Sequence, residues 1–189
     1  MFAYKKNPIK GAKNSITKQH HKHSFTLTRQ MKQININIPY TCCTFDELNA
    51  DDQQLVNAAK KACENSYAPY SHFSVGAAVA LDNGEMLWGN NQENAAYPSG
   101  TCAERCTIFY ANARYPQAAV NAIAIAAIGT DGHFTPSPIT PCGACRQVLL
   151  ETEHRYGKPM RVLLYGDKEI YVIESCSQLL PFQFNSDSL

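Results

Sequence analysis

The stretch Ala119-Val-Asn-Ala-Ile-Ala-Ile-Ala-Ala-Ile128 is apolar almost throughout and reads as a buried β-strand. Around it the pattern alternates. Upstream, Ser74–Leu81 (SVGAAVAL) and Glu85–Gly89 (EMLWG) flank Asp82-Asn83-Gly84, a hairpin signal. Downstream, Arg161–Tyr165 and Ile170–Ile173 read as two more strands, separated by Gly166-Asp167-Lys168. A helix is signalled from Asn49, which can cap it; Asp51 and Asp52 suit its positive end, and Leu55, Ala58, Ala59 and Ala62 form an i, i+3, i+4, i+7 stripe. Further helices are expected near Cys102 and near Cys142, with a short one near Ser175. Helices interleaved with about five strands define an α/β layered domain with a mixed sheet.

Charge is distributed unevenly along the chain. The formal net charge is +1, but residues 1–32 hold seven Lys and one Arg, and no acid precedes Asp46. The remainder carries nine bases against 16 acids. An acidic domain is poorly suited to gripping a phosphate backbone, since that affinity comes from Lys and Arg releasing counterions. Small-molecule chemistry is favoured over nucleic-acid binding.

Residues 1–40 read as a basic, disordered N-terminal extension to a domain over 41–189, because the leader is poor in aliphatic residues. Its cluster His20, His21 and His23 reads as a solvated stretch rather than a metal site. A processed targeting peptide is one explanation for the leader, and a reading frame over-extended upstream of Met31 is the preferred one. No apolar run approaches the ~20 residues needed to span a bilayer. With no secretory signal visible, the expectation is a soluble, cytoplasmic protein whose eight cysteines are thiols or metal ligands.

Two segments carry the chemistry: Thr101-Cys102-Ala103-Glu104 and Pro141-Cys142-Gly143-Ala144-Cys145. Each reads as the first turn of a helix, with Thr101 and Thr140 as caps and Pro141 at the opening position. A helix N-terminus lowers thiol pKa and favours the thiolate that a metal requires. Cys142 and Cys145 share a helical face, and Cys102 offers a third sulfur. Three protein ligands leave a position open for water, the pattern of a catalytic zinc. Glu104 would stand beside that metal as general acid/base.

Spacing alone leaves two alternatives open. Thr101 and Glu104 also fit a capping box. Cys106, one turn after Cys102, could close a four-thiolate site with Cys102, Cys142 and Cys145 that holds the fold and catalyses nothing. Cys42, Cys43, Cys63, Cys106 and Cys176 otherwise read as small buried hydrophobes.

Four blocks favour the open, catalytic site. Tyr67-Ala-Pro-Tyr-Ser-His-Phe-Ser-Val-Gly76, Gly89-Asn-Asn-Gln-Glu-Asn-Ala-Ala-Tyr-Pro98, Cys102-Ala-Glu-Arg105 and Pro141-Cys-Gly-Ala-Cys-Arg-Gln147 resemble, in order and spacing, the signature blocks of cytidine deaminases. The similarity runs from Asn49 to Phe184. It implies a three-layer α/β/α sandwich and one Zn2+ per subunit on Cys102, Cys142 and Cys145. Glu104 is then the proton shuttle while water activated at the metal attacks C4 of cytidine or deoxycytidine.

The resemblance further implies that Asn91 and Glu93 bind the ribose hydroxyls, that Phe73 packs on the nucleoside and that Ala103 contacts it. Asn91 and Glu93 alternate onto one side of an extended segment, with Gln92 pointing away. A carboxylate at the sugar disfavours a phosphorylated ligand and fits a nucleoside. Arg105 would hydrogen-bond a ligating sulfur and offset the excess charge of three thiolates. Short, three-cysteine members of the family are homotetramers in which a C-terminal Phe reaches a neighbour's site, and Phe184 matches it. The expected partners are therefore a nucleoside and further copies of this chain, with no nucleic acid and no membrane. The rival enzyme reading is a related deaminase acting on another aminated nucleoside or a nucleoside antibiotic. Two departures stand out: Cys106 where the family commonly has Thr, and Gln92 where an apolar residue is usual.

Overall fold

The computed structural model describes residues 31–189. The histidine cluster and the readings of the leader lie outside the described residues. The chain divides into two units, Met1–Asn35 and Ile36–Leu189. The second contains all the regular structure that follows.

Six strands form one sheet: β1 (Thr41–Cys43), β2 (Ser74–Leu81), β3 (Met86–Asn90), β4 (Val120–Ile128), β5 (Arg161–Tyr165) and β6 (Ile170–Ile173), in the order β1-β6-β5-β4-β2-β3. The expected count of about five is thus corrected to six. The addition, β1, is a three-residue edge strand, largely exposed, whose place comes from antiparallel pairing with β6. So short a segment has no periodicity to read. The β2–β3 hairpin turns where expected, with Gly84 at φ 85. The left-handed region explains a glycine there.

Three helices complete the layers: α1 (Ala50–Ala62), α2 (Ala103–Arg114) and α3 (Gly143–Tyr156). Asn49 caps α1, its side chain accepting from the Asp52 N–H at 2.9 Å. β4 explains the sandwich. Its Ile123 and Ile125 join a core with Ile108 of α2 and Leu149 of α3, while Ala122, Ala124 and Ala126 join another with Leu55, Val56 and Ala59 of α1. Alternation puts successive residues on opposite faces, so a strand apolar at nearly every position must be covered on both. Small residues on the α1 side permit close approach. A Cβ on Gly76 of β2 would lie 2.1 Å from the Ala59 carbonyl oxygen, so only glycine fits there.

Topology positions the site. β2 pairs antiparallel with both β3 and β4, which makes β3 and β4 parallel to each other, and β5 is parallel to β4. Helix α2 links β3 to β4, and α3 links β4 to β5. Both helices therefore start beyond the carboxyl ends of parallel strands, on the same face, with their N-termini side by side. Crevices at that edge of an α/β sheet are where ligands bind. Among the described residues, no helix is long and apolar enough to cross a membrane.

Candidate metal centre and substrate pocket

Both helices begin later than the threonines suggest. The N-cap of α2 is Cys102 and that of α3 is Cys142, and no side chain closes either cap. Thr101 is drawn away by a bridge to Gln92, each backbone N–H donating to the other's carbonyl at 2.9 Å. Thr140 is engaged instead by Arg146, whose Nη2 donates to its hydroxyl at 3.2 Å. The capping-box alternative for Thr101 and Glu104 therefore fails, and Pro141 lies before α3 rather than at its first position.

The displacement puts sulfur where a cap would sit. Cys102 Sγ is 3.9 Å from Cys142 Sγ, which is 3.5 Å from Cys145 Sγ, and all three sulfurs lie within 4.8 Å of one another. Tetrahedral zinc with Zn–S bonds of ~2.3 Å would hold its sulfurs about 3.8 Å apart. The donor set fits zinc in chemistry and spacing. Among the described residues this is the one such cluster of metal-binding side chains, and Cys106 is not in it.

Packed together, the thiols polarise one another. The neighbouring Cys145, Arg105 and Cys142 lower the Cys102 pKa to about 5 against opposing burial. Cys145 is pushed up by its proximity to Cys102 and by burial. Arg105 Nη2 approaches Cys102 Sγ at 4.0 Å, and its Nε is buried without a partner. Glu104 is only 4% exposed, and burial raises its carboxyl above the ordinary carboxylate range. A carboxyl group walled off from water beside a thiol cluster is poised to exchange protons.

A pocket of about 420 Å³ opens over Cys102 and Arg105 and is walled by Tyr70, Ser71, Asn91, Glu93 and Tyr97. Asn91 Oδ1 accepts from the Val75 N–H at 2.8 Å and its Nδ2 donates to the Phe73 carbonyl at 2.9 Å. Each amide atom retains capacity for one further bond. Glu93 accepts from the Ser71 hydroxyl and from the N–H groups of Tyr70 and Ser71, which together hold its carboxyl below the usual range. Gln92 also lines the pocket, while its side chain is held by Asn90, Nε2 donating to Asn90 Oδ1 at 2.6 Å.

The other expected residues, Phe73, Ala103 and Phe184, are not among those that wall this cavity. Phe73 is partly buried at the end of the Tyr67–Phe73 loop, and Ala103 is fully buried in the first turn of α2. Phe184 is 60% exposed outside the pocket of its own chain, its carbonyl accepting from Gln147 Nε2 at 2.9 Å. Of the remaining cysteines, Cys63 and Cys176 are buried as expected, whereas Cys42 is exposed and donates to Glu169 Oε2 at 3.3 Å. Its strand is at the sheet edge, which leaves no layer to cover it. The sequence reading did not single out Ser71, Tyr70 or Tyr97, although all three lie inside the quoted blocks.

A mixed-sheet α/β/α enzyme with a thiol-lined metal centre at paired helix N-termini is the class that this fold and site define. Comparison with known proteins narrows it. The family model described as the zinc-binding region of cytidine and deoxycytidylate deaminases matches residues 49–156. The cytidine deaminase of Halalkalibacterium halodurans is 39% identical over 140 residues, which cover 74% of this chain and 98% of that protein. That of Mycobacterium tuberculosis is 36% identical over 144 residues, covering 75% and 95%. The crystal structure of cytidine deaminase from Burkholderia pseudomallei aligns with a TM-score of 0.61 at 40% identity, over 72% of this chain and 100% of that one.

The chain belongs to the cytidine and deoxycytidylate deaminase family. It is accordingly a hydrolytic deaminase, and zinc is its metal.

The three-sulfur cluster makes a prediction about Cys106. Replacing Cys142 or Cys145 by Ser should remove zinc from the purified protein, while Cys106→Ser should keep about one zinc per chain. Metal analysis of the three variants checks this, and loss of zinc from Cys106→Ser would contradict it.

Proposed function

We propose that this enzyme hydrolyses the 4-amino group of free cytidine and deoxycytidine, giving uridine and deoxyuridine in pyrimidine salvage in the cytoplasm. One observation carries the reading: a buried carboxylic acid, Glu104, two residues from Cys102, which converges with two further thiols and lines a pocket of about 420 Å³. In this proposal Cys102, Cys142 and Cys145 hold the metal. Zinc bound there supplies Lewis acidity that makes water nucleophilic near neutral pH.

The chain's own residues do the rest. Glu104 takes the proton of the attacking water and delivers it to N3 as the C4–O bond forms. It then passes the second proton to the exocyclic nitrogen, so that the C4–N bond breaks and ammonia leaves a carbonyl behind. Burial supports this cycle, because a carboxyl group raised toward neutrality can both accept and return a proton. Arg105 places positive charge against Cys102 and offsets part of the charge of three thiolates.

Asn91 and Glu93 take the ribose hydroxyls, Phe73 packs on the nucleoside and Ala103 lines its base. Glu93 argues for a nucleoside over a nucleotide, since an ionised carboxylate repels phosphate. The assembly is a homotetramer in which Phe184 of one subunit completes a neighbour's site. Its ring, exposed on its own chain, supports that role.

Glu104→Gln should abolish turnover of cytidine, by a factor on the order of 10³ or more, with zinc retained. Substantial residual activity in a zinc-replete Glu104→Gln enzyme would contradict the shuttle. Truncation after Pro181 should raise KM for cytidine while leaving zinc content intact; unchanged kinetics would remove Phe184 from the site.

A further inference from the structure

Ser71 sits where two substrate contacts meet. Its hydroxyl donates to Glu93 Oε1 and accepts from the Phe73 N–H at 3.1 Å. The second carboxylate oxygen, Oε2, accepts from the N–H of Tyr70 at 2.9 Å and of Ser71 at 3.2 Å. Three donors from two consecutive residues thus fix both oxygens of Glu93. From the other side Asn91 grips the same loop through Val75 N–H and the Phe73 carbonyl. Between these anchors His72 adopts φ 54, in the left-handed region. A residue other than glycine persists there only where its surroundings hold it.

A carboxylate offers about four lone-pair positions, all acceptors. With three taken by the loop, Glu93 has room for one more donor, and a single sugar hydroxyl satisfies it. Where that last lone pair points depends on what holds the other three.

We infer that Ser71 is a positioning residue for the sugar: its hydroxyl aims the Glu93 carboxylate at one ribose hydroxyl. The inference rests on the reading of Glu93 as a ribose-binding residue. Ser71 touches neither the metal ligands nor Glu104, so its contribution falls on binding the sugar and leaves the chemical step alone. A threonine keeps the hydroxyl and its geometry, whereas alanine removes it and cysteine replaces it with a weak donor of similar shape.

The test is steady-state kinetics of the zinc-loaded enzyme on cytidine, 2′-deoxycytidine and 3′-deoxycytidine, with zinc content and thermal melting measured for each variant. Ser71→Ala and Ser71→Cys should raise KM for cytidine roughly tenfold, the scale of a hydrogen bond to a charged group, with kcat nearly unchanged. On the analogue lacking the hydroxyl that Glu93 accepts from, both variants should match the wild-type KM. Ser71→Thr should restore the wild-type value on cytidine.

Glu93→Ala separates the two ideas. If Glu93→Ala raises KM equally on all three sugars, or leaves it unchanged, the ribose reading falls and this inference with it. If Glu93→Ala raises KM only on the sugars that carry the contacted hydroxyl but the Ser71 variants raise KM equally on all three, leave it unchanged, or lower kcat instead, the positioning role of Ser71 alone is overturned.

Discussion

Three cysteine sulfurs crowd within 4.8 Å at the start of two helices, and they cannot all ionise there without a cation. One thiol pKa falls to about 5 while its neighbour's is driven up, so the protons redistribute unevenly within the cluster. A divalent metal resolves that conflict by neutralising the thiolates, and the helix N-termini favour the same ionised state. Arg105 contributes charge from the side. The pocket and the buried acid are arranged around this point.

The fold delivers the sulfurs through strand direction. Because β3, β4 and β5 run the same way, α2 and α3 both begin at one edge of the sheet. Cys102 on one helix and Cys142 and Cys145 on the other then meet across a sequence gap of some forty residues. The opposite layer does a different job. Helix α1 lies close against Gly76 and the alanines of β4, and its end is tied to the pocket strand where Asn90 donates to the Ala62 carbonyl at 3.0 Å. Covering the second face of the sheet keeps β2 and β3 in place, and with them Asn91 and Glu93.

Much of this was legible in the chain because it is written in strong local signals. The run of β4, the Asp82-Asn83-Gly84 turn and the Asn49 cap depend on neighbours within a few residues, and the structure follows them closely. Strand β1 was not legible, since three exposed residues take their conformation from β6 far along the chain. The helix starts were misplaced by one or two residues for a related reason: Thr101 and Thr140 are good caps in isolation, but a β-bridge and an arginine claim them. For the site, spacing left open whether a fourth sulfur joined the cluster, and only tertiary placement separates Cys106 from it. Ser71 was invisible for a further reason, as nothing in its local sequence reveals that its hydroxyl meets a carboxylate 22 residues away.

The most direct test of the central claim is X-ray absorption at the zinc edge on purified, active enzyme. An open catalytic centre predicts one zinc per chain bound by three sulfurs at ~2.3 Å and one oxygen or nitrogen at ~2.0 Å. Four sulfurs around the metal, or full activity from protein that carries no zinc, would contradict it.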